Sequence, residues 1–249
     1  MSRMRAVVRR SARIVAGVVA LSALAACSGG ESDDAAPEAS ASAPAKTLSA
    51  RELETAAVAG GDVPDHQVGA REKADRYEES EVSANQPECT VEARLALGMS
   101  VGEPVSMVQR TAMGNPRGAK TAEGDLVKTT VTVASYKGKG EVDVLSDLGA
   151  ASTVCRNGFI SKVRGKQTPV QSPQQQIDPE RLKFADEISW FVLSGVPGSD
   201  TPTRKVLVVR SGHTLGFFSR TYPGADAGAE MMPFPVDVAR AQWKKLASG

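Results

Sequence analysis

Apolar residues recur at helical spacing in four segments of the chain. The first begins after Ser49 and Glu52, whose separation of three residues matches a capping box. The third contains four inward-facing residues spaced four or three positions apart, the last of which is Cys155. The fourth follows Pro235, a residue suited to the first turn of a helix. The pattern predicts helices at residues 50–58, 88–97, 141–155 and 235–248.

Alternating or continuous apolar residues predict strands between these helices. In residues 126–136, valines alternate with Lys128, Thr130 and Thr132, which predicts one buried and one solvated face. A strand is predicted at residues 206–210, in a hairpin with residues 214–220. Its residues 206–209 include no polar position, so the strand should be covered on both sides or lie centrally. Further strands are predicted at 67–73, 105–113, 159–163 and 188–193, with loops at 74–85 and 167–180.

The order of these elements favours an α+β fold. Helices and strands are segregated rather than strictly alternating, which predicts a twisted, mostly antiparallel sheet with about four helices packed against it. No repeat recurs at a fixed period, and no strongly polar linker divides the chain beyond residue 48. We therefore expect a single domain at residues 48–249.

The first 26 residues have the composition of an export signal. Five arginines precede an uncharged run at residues 14–26, and the whole segment contains no acidic residue. As a helix this run would span about 20 Å, less than the ~30 Å hydrocarbon core of a bilayer. An export signal is therefore expected in place of a membrane span, through the general secretory route in preference to a twin-arginine route at Arg9 and Arg10.

The export signal ends in Leu24-Ala25-Ala26-Cys27, which resembles the lipobox of bacterial lipoproteins. The resemblance implies cleavage before Cys27 and attachment of acyl chains to this residue, which would become the new N-terminus. Two or three acyl chains anchor a protein stably without a spanning helix. The alternative is an ordinary secretory signal in which Cys27 is incidental.

Residues 28–46 contain no apolar side chain larger than that of proline, which predicts a flexible tether. The predicted organisation is a signal peptide at residues 1–26, a lipidated N-terminus with its tether at 27–47, and an extracytoplasmic domain at 48–249.

Beyond Cys27 the chain has two further cysteines, Cys89 and Cys155, both at core-facing positions of predicted helices. An exported protein reaches an oxidising compartment, so we expect one disulfide between them. Its sequence separation of 66 residues corresponds to about 4 kcal/mol in the chain-entropy model, as an upper figure. The alternative is two buried free thiols.

Charge and composition exclude some classes of ligand. The formal net charge is +1, and residues 27–249 carry 25 basic and 29 acidic side chains, so a nucleic-acid partner is not expected. Eleven aromatic residues in the whole chain argue against a site that stacks sugars or bases. Short basic clusters at Lys137 and Lys139, and at Lys162, Arg164 and Lys166, fit edge-strand lysines better than a patch for anionic lipids or wall polymers.

The sequence lacks the motifs of common enzyme and metal sites, so no catalytic residue, metal or cofactor is predicted. It contains no H-E-x-x-H, C-x-x-C, S-x-x-K or phosphate-binding loop motif. Its G-x-S-x-G match at residues 98–102 follows a predicted helix and precedes a predicted strand, so it is not the strand-to-helix elbow of a hydrolase. The two histidines are expected to be ordinary: His213 solvated in a turn, and His66 beside Asp65 only a weak candidate for an oriented base. The carboxylate pairs Glu141 with Asp143 and Glu78 with Glu79 are expected to be solvated.

The element order, the segment T-T-V-T-V-A-S-Y at residues 129–136, and Val154-Cys155-Arg156 at the end of a helix resemble one family. This is the group of actinobacterial lipoproteins related to the extracellular sensor domain of PknH-type kinases. The resemblance implies a mixed α/β fold with a cleft proposed to bind a ligand, and no known catalytic residues. The kinase sensor has two disulfides, whereas Cys89 and Cys155 allow only one here, so the shape of the cleft can differ.

The resulting hypothesis is a non-enzymatic lipoprotein, held on the outer side of the cell membrane through Cys27. Its domain would bind a small ligand, a lipid or a protein partner, which the sequence does not name. The alternatives are a lipid carrier with an apolar cavity and a cell-wall hydrolase whose site has no recognisable motif.

Overall fold

The computed structural model describes residues 46–115, 126–171, 174–176, 184–196, 201–222 and 233–248. The predicted signal peptide, Cys27 and the predicted tether up to residue 45 lie outside the described residues. None of the described helices is both long enough and apolar enough to cross a membrane.

The described residues form four α-helices and ten β-strands. The helices are α1 (Ala50–Ala56), α2 (Thr90–Ala96), α3 (Gly140–Val154) and α4 (Val236–Ala247). The strands are β1 (His66–Ala70), β2 (Val82–Ala84), β3 (Ser106–Gly114), β4 (Val127–Ser135), β5 (Phe159–Val163), β6 (Lys166–Val170), β7 (Gln174–Gln176), β8 (Glu187–Leu193), β9 (Thr203–Ser211) and β10 (Thr214–Tyr222). Short 3₁₀ helices lie at Lys73–Asp75, Glu79–Glu81, Pro87–Cys89 and Cys155–Asn157.

All four predicted helices are present, each within a few residues of its predicted bounds. The capping box at the start of α1 is confirmed, because the Glu52 amide donates to Ser49 Oγ and the Ser49 amide donates to the Glu52 carboxylate. Without a tertiary partner helices this short are marginal, so packing must hold α1 and α2 in place.

Seven strands form one antiparallel sheet in the order β1-β3-β4-β10-β9-β8-β7. The predicted hairpin of residues 206–210 with 214–220 is confirmed, and its second strand β10 is the middle strand of the seven. Together with the helices and the disulfide, this architecture confirms the predicted α+β fold.

Both faces of the large sheet are covered by helices, which gives three layers. On one face α1 and α4 pack over Val131, Leu207 and Phe218. On the other face α2 and α3 pack over Val208 and Phe217. Because neighbouring residues of a strand point to opposite faces, the unbroken apolar run in β9 supplies both cores, as predicted.

The predicted solvated face of β4 is wrong. Thr130 and Thr132 are buried beneath the end of α2, and the Thr132 hydroxyl donates to the Gly98 carbonyl oxygen over 2.6 Å. Gly98 has a φ of +63°, and a Cβ there would lie 2.8 Å from the Thr130 methyl carbon. Thr130 and Thr132 are therefore packing residues that allow α2 to approach the sheet closely.

A second sheet of three strands, in the order β2-β5-β6, lies beside the α2 and α3 layer. Two predicted loops are therefore wrong in part. Residues 74–85 contain β2, whose Val82 is buried, and residues 167–180 contain part of β6 and all of β7. The prolines misled the prediction, since Pro169 lies in the edge strand β6, where a missing N–H is tolerated.

The predicted disulfide between Cys89 and Cys155 is present, with a Cα–Cα distance of 5.8 Å. It joins the start of α2 to the end of α3, within a small apolar cluster that includes Ala93, Ala151 and Phe159. The disulfide therefore fixes the two helices that separate the large sheet from the small one.

Candidate functional site

A cleft of about 610 Å³ opens between α2, the small sheet and the beginning of β9. It is lined by side chains from three walls. Ala93, Ala96 and Leu97 belong to α2 and its end, Val163, Lys166, Thr168 and Val170 are among those from the small sheet, and Thr201, Pro202 and Arg204 precede or begin β9. Tyr77 also lines the cleft, from the segment before β2.

Arg204 reaches the cleft because of its position on β9. Arg204 lies on the same face of the strand as Val206 and Val208, which are fully buried under α2 and α3. The next position in this row, Arg204, lies where the core ends and the cleft begins. Its guanidinium is half-buried, and burial lowers its pKa, an effect that the nearby Tyr77 partly offsets.

Tyr77 is held among arginines. The Arg164 guanidinium lies 4.7 Å from the centre of the Tyr77 ring and that of Arg71 lies 5.9 Å from it. Contacts at these distances are favourable cation–π interactions. They fix the tyrosine ring at the edge of the cleft.

Arg164 has a structural role as well as a place in the cleft. Its backbone φ of +47° belongs to the tight turn between β5 and β6. Its guanidinium donates to the Glu81 carboxylate over 3.0 Å. It also donates to the carbonyl oxygens of Ala74 and Arg76, over 2.9 and 2.6 Å. Arg164 is therefore neutralised by Glu81 and ties the small sheet to the segment that carries Tyr77.

Arg71 fastens the same segment to the end of α2. It is 2% exposed, and its guanidinium donates to the carbonyl oxygens of Leu97 and Gly98 over 2.9 and 3.4 Å. Burial lowers the pKa of Arg71, while its Nε is buried without a hydrogen-bond partner among the described residues.

Both histidines contact carboxylates. His213 lies in the predicted turn and is half-buried, with its Nδ1 3.0 Å from Glu141 Oε1. Glu141 is buried, so the prediction that it is solvated is wrong. The physical reason is that the β9–β10 turn lies over the start of α3, a contact that sequence spacing does not show. His66 Nδ1 lies 2.8 Å from the Pro64 carbonyl oxygen, and His66 Nε2 lies 3.5 Å from the Asp237 carboxylate, so the groups that orient its ring are these two.

The remaining acidic candidates differ in environment. Glu78 and Glu79 are exposed as predicted, although Glu79 also forms an ion pair with Arg94 at 3.0 Å. Glu92, which sequence analysis did not single out, is fully buried on α2, and burial raises its pKa to about 7. Its only hydrogen bond among the described residues comes from Ser152 Oγ over 3.1 Å.

The basic clusters do not form an edge-strand pattern. Lys137 and Lys139 lie exposed in the turn before α3, and Lys162 lies on β5, the middle strand of the small sheet. Only Lys166 lies on an edge strand, β6, and it lines the cleft together with Arg164. In the described part of the chain, no group of three or more His, Cys, Asp or Glu side chains could hold a metal ion.

Sequence reasoning missed Arg204 and Tyr77. The strand was predicted from its apolar run, and charged residues precede that run. Arg204 therefore fell outside the predicted strand. Extending the alternation of β9 backwards from Val208 through Val206 would have placed it on the inward face. Tyr77 lay in a charged segment without periodicity, so no sequence signal marked it.

Comparisons with known proteins add information on the fold alone. No family model matches the sequence, and no curated protein matches it. Three chains of solved structures do match, and among them is the extracellular domain of PknH from Mycobacterium tuberculosis. The two share 7% sequence identity with a TM-score of 0.51, and the match covers 82% of this chain and 99% of that domain. The chain is therefore similar in fold to an extracellular domain, as the predicted resemblance implies.

Proposed function

We propose that this protein is a non-catalytic lipoprotein, tethered to the outer side of the cell membrane, whose domain binds a ligand in the cleft beside α2. The observation that carries the proposal is the cleft itself, in which Arg204 lies half-buried at the end of the core. A pocket of several hundred Å³ with a few convergent polar groups is typical of small-molecule sites. The similarity in fold to the extracellular domain of PknH supports a sensor-like role.

The placement of the histidines supports a role in binding over one in catalysis. Nucleophilic catalysis needs a base within hydrogen-bond reach of a serine, threonine or cysteine. His66 and His213 contact carboxylates and a backbone carbonyl, and neither forms a hydrogen bond with a hydroxyl or thiol group among the described residues. A cell-wall hydrolase that depends on a histidine base therefore has no supporting geometry in this part of the chain.

The lining of the cleft favours a polar ligand over an acyl chain. Arg164, Lys166 and Arg204 all line it, and Lys166 and Gln167 are exposed at its rim. Placing hydrocarbon against charged groups would remove them from water without compensation. The lipid-carrier alternative requires an apolar cavity, whereas three cationic side chains line this cleft.

Ligand binding in the cleft can be tested with a blocking variant. Thr168 and Ser161 are register partners on the cleft side of the small sheet, whereas Lys162 is on the opposite face. We expect a screen of polar metabolites by thermal shift to give compounds that stabilise the wild type and the Lys162→Trp control but not Thr168→Trp. Binding that survives in Thr168→Trp would place the ligand elsewhere and refute the proposed site.

The membrane tether is a separate part of the proposal and needs its own test. We expect the N-terminal peptide from native cells to begin at Cys27 and to carry the mass of attached acyl chains. In a Cys27→Ser variant the domain should leave the membrane fraction or remain unprocessed. A wild-type peptide with an unmodified thiol at Cys27 would reject lipid anchoring while leaving the cleft proposal intact.

A further inference from the structure

We propose that the cleft takes a small ligand through a negatively charged group, a carboxylate or a phosphate, which the Arg204 guanidinium binds. This inference rests on the ligand-binding function proposed above and adds the chemical class of the ligand. Two observations carry it: which charged side chains line the cleft, and which of these side chains form an ion pair.

Arg204 has no counter-ion among the residues that the structure describes. Within the described part of the chain its guanidinium forms neither a hydrogen bond nor an ion pair, although it is half-buried. A partly desolvated cation without a partner costs free energy, which an oxyanion can offset. The planar fork of arginine N–H groups matches the two oxygen atoms of a carboxylate or phosphate.

The rest of the lining leaves the positive charge uncompensated. No aspartate or glutamate is among the described residues that line the cleft. Arg164 is neutralised by Glu81 outside the lining, but Lys166, on the small-sheet wall opposite β9, has no charged partner among the described residues. Arg204 and Lys166 thus face one space from two walls, in a chain whose residues 27–249 have more acidic than basic side chains.

The uncharged walls indicate the body of the ligand. Ala96, Val163, Val170 and Pro202 offer small aliphatic surfaces. The Tyr77 ring is already covered by the Arg164 guanidinium at 4.7 Å, so this face of the ring is not available for stacking. The geometry therefore suits an aliphatic acid or a phosphate ester better than an aromatic ligand.

The test uses the full chain purified in detergent, with phosphate and acetate titrated separately against chloride at constant ionic strength. We expect each anion, or one of the two, to raise the melting temperature of the wild type, and the responding anion identifies the charged group. Arg204→Gln should bind at least about tenfold more weakly, since a hydrogen bond to a charged group contributes about 1.5 kcal/mol or more. Arg204→Lys retains the charge but loses the fork, so its affinity should lie between the two.

The matched control is Arg240→Gln, which removes an arginine on α4 that stacks on Phe184 at 5.9 Å, in the opposite layer. This variant should respond to the anions like the wild type. In chloride alone, Arg204→Gln should be at least as stable as the wild type, because it removes an uncompensated, partly buried charge. A purely structural role for Arg204 predicts the opposite sign.

Two results would overturn the inference: a wild type that neither anion stabilises, or an Arg204→Gln variant that keeps the full response. Failure here is distinguishable from failure of the proposed function. A neutral compound that binds the wild type and is excluded by Thr168→Trp would keep the cleft as a binding site and reject only its preference for anions.

Discussion

The two helix layers on the large sheet are held in different ways. In the α1 and α4 layer, buried polar side chains have partners: Gln242 receives the Val58 amide at 2.9 Å and donates to the Ala56 carbonyl oxygen at 2.7 Å. The fully buried Arg220 donates to Thr129, Phe234 and Asp237. In the α2 and α3 layer, by contrast, the buried Glu92 and Glu141 each leave one carboxylate oxygen without a partner among the described residues.

This difference indicates that the two layers respond differently to changes in pH and redox state. Unpaired buried atoms also occur in the first layer, at Trp190, Trp243 and His66 Nε2, but none of them belongs to a carboxylate. The second layer instead combines a disulfide, a glutamate with a raised pKa and the cleft. We infer that the stability of the second layer depends on redox state and on the ionisation of a buried glutamate, whereas the described residues of the first layer include neither a disulfide nor a buried carboxylate.

The largest effects are expected from a matched pair of substitutions on the central strand β10. Phe217 and Phe218 are adjacent and both fully buried, but Phe217 faces α2 and α3 while Phe218 faces α1 and α4. Each change to Ala should cost about 3 to 5 kcal/mol of unfolding free energy, since a large cavity remains. Urea unfolding followed by circular dichroism measures both.

Hydrogen exchange on the same pair sharpens the comparison. Phe217→Ala should speed exchange first in α2 and α3, and Phe218→Ala first in α1 and α4. Identical exchange patterns in the two variants would mean that the layers open together, and the distinction between them would have to be abandoned.

Removing the disulfide should affect the second layer specifically. The chain-entropy model gives up to about 4 kcal/mol for Cys89→Ala combined with Cys155→Ala, given the separation of 66 residues. The loss should be accompanied by faster exchange in α2 and α3, whose ends the bond joins. Dithiothreitol should reproduce the effect in the wild type and have no effect on the double variant; equal loosening of α4 would contradict the layer model.

The sequence predicts the large sheet and its four helices better than it predicts the small sheet and the cleft. Periodic apolar residues such as Val144 and Leu148 reveal a helix and its buried face, so all four helices and the central hairpin were predictable. The small sheet was predicted only at β5, because β2 is short and β6 contains Pro169. The cleft depends on Arg204, which lies beside α2 only after β9 has paired in the sheet. The alternation of β9 places Arg204 on the inward face, but whether a cleft or a packed core lies there is decided by tertiary structure.

Glu92 gives a smaller effect that depends on pH. Burial raises its pKa from an ordinary 4.5 to about 7, so the folded state retains the proton where the unfolded chain releases it. The stability of the wild type should therefore be complete below about pH 4.5 and fall by about 3 kcal/mol as the pH rises through 7. Glu92→Gln keeps an acceptor for Ser152 without a charge and should be more stable than the wild type at pH 8 only.

Urea unfolding at pH 5 and pH 8 measures this difference. Glu88→Gln, which removes an exposed carboxylate one turn earlier, serves as the control and should behave like the wild type. If Glu92→Gln gave no gain at pH 8, the charge on Glu92 would not weaken the second layer, and only the disulfide would distinguish the two layers.

The smallest predicted effect lies in the first layer, at the capping box of α1. Ser49 Oγ accepts the Glu52 amide, and Ser49→Ala should cost about 1 kcal/mol, the usual value for an N-cap serine. Lys46 and Ser49 lower the pKa of the Glu52 carboxylate to about 2, so its contribution is present above the ordinary pKa of 4.5 and is lost as the pH falls towards 2. This is opposite in sign to the effect of Glu92. Acid should therefore weaken α1 while it strengthens the α2 and α3 layer. Hydrogen exchange at pH 3 and pH 7 measures both responses. If the two layers responded equally, or in the reverse sense, the prediction would be contradicted.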